Sequence, residues 1–221
     1  MDQKTLFDGL ATFLCVIVII TFHEFGHAWA AWKCGDDTAR SQGRITLNPI
    51  AHMDFVGTLV LPLLVVFLSA AGSGMASFII GWGKPVPVNV NNLRRPRIDD
   101  ILVSLAGPAM NVVLAFLAML IARAGFLAHS DIVPQASLRM AEISMFLCFF
   151  NLLPIPPLDG SHVVKNIFGI KHETFLRFSQ FGFFLIILAI QIPQVQRLLS
   201  DSTHSSLEFM SKLVRLGSVA G

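Results

Sequence analysis

The chain has 221 residues, of which 54% are hydrophobic and 14% charged, with a formal net charge of +2 and a mean hydropathy of +0.68. Soluble domains carry about 25% charged residues, so this composition excludes an ordinary soluble globule and describes an integral membrane protein. The basic residues sit in short clusters between apolar runs, a pattern that sets membrane orientation and excludes a nucleic-acid partner. The length fits one membrane domain over residues 1–221, with a core at about 6–168 and a C-terminal helix and amphipathic tail at about 174–221.

Apolar runs fall at about 6–32, 57–81, 101–124, 138–153 and 174–192. A helical crossing needs roughly 20 residues. The first run lacks the basic leader and small-residue cleavage site of a signal peptide and is expected to stay as a transmembrane helix. Lys33, Arg40 and Arg44 follow it, and Lys84, Arg94, Arg95 and Arg97 precede the third run. Both loops are therefore expected on the cytoplasmic side, whereas 125–137, free of Lys and Arg, faces outward. With both basic loops inside, 57–81 must enter and return. Pro62 and Gly72-Ser73-Gly74 make it a re-entrant hairpin, which protein or a wet cavity must cover. Trp29, Trp32 and Trp82 all fall at predicted cytoplasmic boundaries.

Val86, Val88 and Val90 alternate with Pro87 and Asn89, which predicts a short strand. The strand could add a substrate edge-on or merely close the cytoplasmic face. The expected fold is an all-α polytopic membrane protein. It has about four transmembrane helices, both termini outside, the hairpin, and short β segments on the cytoplasmic face. In the tail, Leu207, Met210, Leu213, Val214 and Leu216 recur at helical spacing, as in an interfacial amphipathic helix. Cys15, Cys34 and Cys148 lie far apart and form no CxxC pair.

Inside the first run stand His23, Glu24 and His27. Ionisable residues at membrane depth are functional by default because hydrocarbon cannot solvate them. Residues four apart share a helix face, so both imidazoles can point at one metal ion, with Glu24 about 100° round the helix beside it. His-Glu-x-x-His on a helix is a zinc-hydrolase signature. A catalytic zinc site wants a third protein ligand and one open position. The best candidate is Asp159, which follows Pro154, Pro156 and Pro157. Those prolines end any helix and could swing a carboxylate back toward the first one. The same Asp159 would equally serve as an N-cap for a helix over 161–168.

His23-Glu24-x-Gly26-His27 and Asn151-x-x-Pro154-x-x-Pro157-Leu158-Asp159-Gly160 together resemble the site-2 protease family of intramembrane zinc metalloproteases. The resemblance extends to Leu47–Asp54, Gly81–Asn89 and Ala106–Asn111, in order over about 20–165. It implies one zinc ion held by His23, His27 and Asp159, with Glu24 as catalytic base. Asn151 would hold substrate or the developing oxyanion. The implied core is the helices at 6–32, 101–124 and 138–160, in a compact form without PDZ or CBS domain. The implied partners are a transmembrane protein or peptide substrate and membrane lipid. Short loops and compact size point to an inner (plasma) membrane, and the basic loops set the site toward the cytoplasm.

Other polar residues read as structural. His52 and Asp54 fit a membrane-surface turn, Asn111 fits a supporting role near the start of its helix, and His129, His162, His172 and His204 read as solvated. Two competing functions remain in view: a catalytically silent binding protein or chaperone that keeps the metal site, and a membrane-anchored metalloprotease acting on exposed polypeptide. The latter would take a glutamate as third ligand, and Glu142, Glu173 and Glu208 lack a supporting motif.

Overall fold

The computed structural model describes residues 3–70, 83–130 and 132–216. Among these residues all regular structure is helical. In chain order the helices are α1 (Gln3–Cys34), α2 (Thr38–Ser41), α3 (Leu61–Ala70), α4 (Pro96–Leu127), α5 (Ile132–Asn151), α6 (Asp159–Ile167), α7 (His172–Ser179), α8 (Gly182–Ile190) and α9 (Pro193–Leu213). Three of them, α1, α4 and α5, are long and apolar enough to cross a membrane. They coincide with the first, third and fourth predicted runs.

The predicted fifth run is broken. α7 and α8 meet at a 58° bend, so the expected count of about four crossings becomes three straight spans and one bent pair. The bend lies where Gly182 seats its backbone on Pro156. A Cβ on Gly182 would collide with the Pro156 carbonyl oxygen. The second run starts as predicted, with a π-helical turn over Phe55–Val60 leading into α3. Asp54 caps it by accepting the Val56 and Gly57 amides at 3.1 and 2.7 Å. The proposed turn at Gly72-Ser73-Gly74, the return limb and Trp82 lie outside the described residues.

The predicted strand is a second correction. Residues 83–89 run without regular structure, and the described residues contain no strand. Val86 gives its amide to a side chain instead of a neighbouring strand. The tail forms the expected helix, α9, which lies along α5 and turns part of its apolar stripe onto protein, while Leu213 stays exposed. Met210 and Val214 pack with Ala115, Ala118, Met119, Ala141 and Met145, and Leu199 packs with Leu153, Leu158 and Ile186.

α4 is the central element, packing on α1, α5 and α6. Pro96 opens it, where a missing N–H costs nothing. Its contact with α1 is unusually close. A Cβ on Gly26 would lie 2.6 Å from Met110 Cγ and 2.7 Å from the Ala106 carbonyl oxygen, so only glycine lets the two helices meet there. Further along, Cys15 and Ile19 of α1 pack on Leu114 of α4. α1 ends at Gly35, whose φ of +109° suits glycine. Beside the end of α1, Lys33 Nζ stands 4.3 Å from the Trp32 ring centroid.

Asp36, fully buried, ties this end of α1 to the next basic loop. Its carboxylate accepts from Thr38 N and Oγ1, Asn89 N at 2.7 Å and Asn92 Nδ2 at 3.0 Å. Burial disfavours the charge, but these donors prevail and hold the carboxyl below its ordinary range. A depressed native pKa stabilises the fold above the unfolded value of about 3.9 and loses that contribution as pH falls through the native value. Asp36→Asn is therefore expected to lower the melting temperature at pH 7. The gap to wild type should narrow as pH drops below about 4, which thermal unfolding in detergent over a pH series would read. Gly26→Val is expected to destabilise the chain by about 1–3 kcal/mol through forced separation of α1 and α4, measured the same way.

Candidate metal centre

Three donor groups converge between α1, α4 and α6. His23 and His27, one turn apart on α1, bring their Nε2 atoms to 3.0 Å of each other. Asp159 presents Oδ2 at 3.2 Å from His23 Nε2 and Oδ1 at 3.3 Å from His27 Nε2. These are the described His, Cys, Asp and Glu residues grouped closely enough to hold one ion. Both imidazoles are buried and Asp159 nearly so.

The donor set fits a divalent metal on three counts. First, His27 Nδ1 lies 2.7 Å from the Val103 carbonyl oxygen. It must donate there, which leaves the Nε2 lone pair facing the other donors. Second, Asp159 Oδ2 is buried yet has no hydrogen-bond partner, although His23 Nε2 stands at ion-pair distance. Third, the two Nε2 atoms stand 3.0 Å apart and each faces a different Asp159 oxygen at 3.2 or 3.3 Å, so that one ligand atom from each residue lies within 4.8 Å of the others, close enough to share one ion.

The local sequence explains the arrangement. Gly107 of α4 faces the two rings, and a Cβ there would sit 2.6 Å from His23 Cε1 and His27 Cε1. Asp159 is the first residue of α6. The residue before that helix is Leu158, and the Asp159 carboxylate makes no cap hydrogen bond. The N-cap alternative is thus excluded by geometry: the side chain turns toward the histidines. Gly160 permits this, since a Cβ would strike the Leu152 carbonyl. The chain between α5 and α6 turns through local bonds, Ile155 N to Leu153 O at 2.8 Å and Leu158 N to Ile155 O at 2.9 Å.

Glu24 stands beside the three donors rather than among them. Its Oε2 accepts the Val86 amide at 2.8 Å. The segment carrying Val86 is pinned by buried Arg44, whose Nη2 donates to the Lys84 and Pro85 carbonyls at 2.7 and 3.3 Å. His52 is also fully buried, with Nε2 at 2.8 Å from the Thr46 carbonyl, and His52 O accepts the Lys84 amide at 3.0 Å. His52 and Asp54 lie outside the donor group, and Asp54 caps the π-helical turn. Asn151 gives Nδ2 to the Leu147 carbonyl at 2.9 Å and lines a cavity of about 290 Å³ with His23, Glu24, Gly83 and Asn111. The structure thus brings all five sequence-predicted residues to one place, three as a donor set and two on the adjoining cavity.

Two polar residues stand differently from expectation. Asn111, expected near the start of its helix, lies midway along α4, fully buried on this cavity with neither amide atom partnered. His162, expected in solvent, instead approaches a buried ion pair of Asp100 and Lys165. The available signal was the spacing Asp159, His162, Asn166, which puts three polar residues on one face of α6.

A bundle of apolar helices that buries a His-His-Asp donor set beside a glutamate defines a membrane metallohydrolase class. The comparisons agree. The model of peptidase family M50 matches residues 11–137 and 123–190, and the chain belongs to that family. It is similar to the "Putative zinc metalloprotease YwhC" of Bacillus subtilis, 35% identical over 189 residues, covering 81% of this chain and 80% of that protein. It is also similar to the "Putative zinc metalloprotease Rip2" of Mycolicibacterium smegmatis, 28% identical over 206 residues, 93% and 76% of the two chains. A shorter stretch is 42% identical over 66 residues to the "Putative zinc metalloprotease MJ0611" of Methanocaldococcus jannaschii, 28% of this chain and 32% of that one. No solved structure matches at a significant level.

Gly107→Ala would drive a methyl into both rings. It is expected to weaken zinc binding by roughly 10–100-fold, the range for disturbed ligand support, with helix content by circular dichroism unchanged. Competition against a chromophoric chelator measures it.

Proposed function

We propose that the chain is an intramembrane zinc protease that hydrolyses peptide bonds in or near transmembrane segments of membrane proteins, as in regulated intramembrane proteolysis. The supporting observation is the convergence of His23, His27 and Asp159 between helices apolar enough to cross a bilayer. His23 Nε2, His27 Nε2 and one Asp159 oxygen would hold a single zinc ion per chain. The ion, when bound, supplies Lewis acidity that acidifies water and polarises a carbonyl.

The chain's own groups do the rest. Val86 N–H holds Glu24 Oε2, which leaves the other carboxylate oxygen to accept a proton from the attacking water. Glu24 then passes that proton to the leaving amine. Asn151, on the same cavity, offers an amide donor to the substrate backbone or to the oxyanion as it develops. The mostly apolar cavity wall lowers the local dielectric and strengthens each of these interactions. His27 lies five residues before Trp32. At 1.5 Å per residue the centre sits roughly 8–10 Å inside the helix boundary. The basic residues that follow α1 orient that boundary to the cytoplasm of an inner (plasma) membrane. Substrate segments would be cut near their cytoplasmic ends, with lipid around the helices.

Glu24→Gln tests the reading. It is expected to cut turnover of a membrane substrate by at least about 100-fold while the zinc content, by elemental analysis, stays at the wild-type level. Comparing membranes that hold wild type and Glu24→Gln by proteomics would show uncut segments accumulating. Full turnover by Glu24→Gln would refute the assignment of the base, and lost zinc would make Glu24 a ligand.

A further inference from the structure

We infer that Asp100, with Lys165, Asn166 and His162, forms a positioning strut that sets where Asp159 presents its carboxylate; the inference rests on the metal-centre reading above. Asp100 lies near the start of α4 and is 3% exposed, and Lys165 of α6 is 8% exposed. Lys165 Nζ and Asn166 Nδ2 each donate to Asp100 Oδ2 at 2.6 Å. His162 Nδ1 lies 3.3 Å from Asp100 Oδ1. One carboxylate on α4 thus gathers three side chains of α6, the helix whose first residue is Asp159.

α6 needs an external anchor. It has nine residues, too few for a helix to hold itself. The link that delivers it from α5 is irregular and bonded to itself over two or three residues. The link holds the first turn of α6, where Gly160 seats on the Leu152 carbonyl, but the rest of the helix lies beyond it, and a small rotation would carry the Asp159 oxygens away from the histidines.

The strut and the histidine supports share one face of α4. Asp100, Val103 and Gly107 follow the i, i+3, i+7 spacing of a single helical face. Asp100 grips α6, the Val103 carbonyl orients His27, and Gly107 admits both rings. One rigid face therefore gauges the distance between the histidines and Asp159. A buried ion pair is a costly way to gain stability, because desolvation offsets the Coulomb attraction, but it fixes register well. Asp100 is accordingly a positioning residue that acts through Asp159.

The test is a double-mutant cycle on zinc affinity, read by chelator competition with the full chain in nanodiscs. Asp159→Asn and Asp100→Asn are each expected to weaken binding by roughly 10–100-fold. In the Asp159→Asn background, Asp100→Asn should add less than about 3-fold, because the group it positions is gone. A simple structural role would instead give the same loss in both backgrounds, and that result overturns the proposal. Asp100→Asn leaves Lys165 without its counter-charge. Asp100→Leu with Lys165→Met removes both charges together, and Asn166→Ala removes one donor and no charge. Both are expected to weaken binding in the same direction, Asn166→Ala least. Wild-type affinity in these variants, alongside weakened Asp159→Asn, also overturns it. Wild-type affinity in Asp159→Asn itself would defeat the metal-centre reading, and the strut with it, and is distinguishable because it appears in the single variant.

Discussion

The close approach of α1 to α4 governs the rest of the centre. Two α-helices usually stand 8–10 Å apart, according to the side chains between them. Here glycine supplies the contact from each side: Gly26 of α1 meets Ala106 and Met110, and Gly107 of α4 meets both imidazoles. At that separation the His27 ring reaches the Val103 carbonyl, and the tautomer is settled by backbone rather than by a mobile side chain. Metal ligands tolerate only about 0.2 Å of error in distance. A site assembled across two helices therefore needs a contact with little freedom to slide, and backbone packed directly on side chain provides it.

The third donor poses the opposite problem. Asp159 is far from the histidines in sequence and must be carried into the centre by backbone that is not helical. Unpaired peptide groups at such depth are expensive unless protein covers them. The segment between α5 and α6 meets this by bonding to itself and by packing under α8, where Gly182 receives Pro156. Its leucines serve the same end, with Leu153 and Leu158 buried against Ile186 and Leu199. The bend between α7 and α8 and the packing of Leu199 of α9 thus serve to cover one irregular loop.

Much of this was legible in the sequence, and the limits have physical causes. The spacing of His23 and His27 encodes a shared helix face, and hydropathy locates α1, α4 and α5, because both signals are local. Asp159 stood open between ligand and cap, since either role suits an acid that opens a helix. Only the direction of the side chain decides, and packing sets that direction. The alternation at Val86–Asn89 read as a strand, but a strand needs a partner, and Glu24 takes the Val86 amide first. His162 looked solvated because its counterpart, Asp100, lies 62 positions earlier. The tail's apolar stripe was visible, yet a stripe does not say whether lipid or protein covers it.

Charge balance gives an independent reason why the centre suits a divalent cation. Glu24 and Asp159 place two carboxylates between apolar helices, and hydrocarbon penalises any net charge held there. Protonating both imidazoles would offset them, but the geometry forbids it. His23 Nε2 and His27 Nε2 face each other at 3.0 Å, a distance at which two N–H groups would point their hydrogens into one another. His27 Nδ1 already carries a proton for Val103, so at most one of the facing nitrogens can bear another. The imidazoles alone therefore offset at most one of the two carboxylates. A doubly charged ion among the three donors adds positive charge beside Asp159 and uses the facing lone pairs at once. Lys165 does not serve instead, because it is committed to Asp100, and the charge of Arg44, held by the Lys84 and Pro85 carbonyls, acts on Glu24. The arrangement that looks frustrated as a hydrogen-bond network is coherent as a ligand sphere.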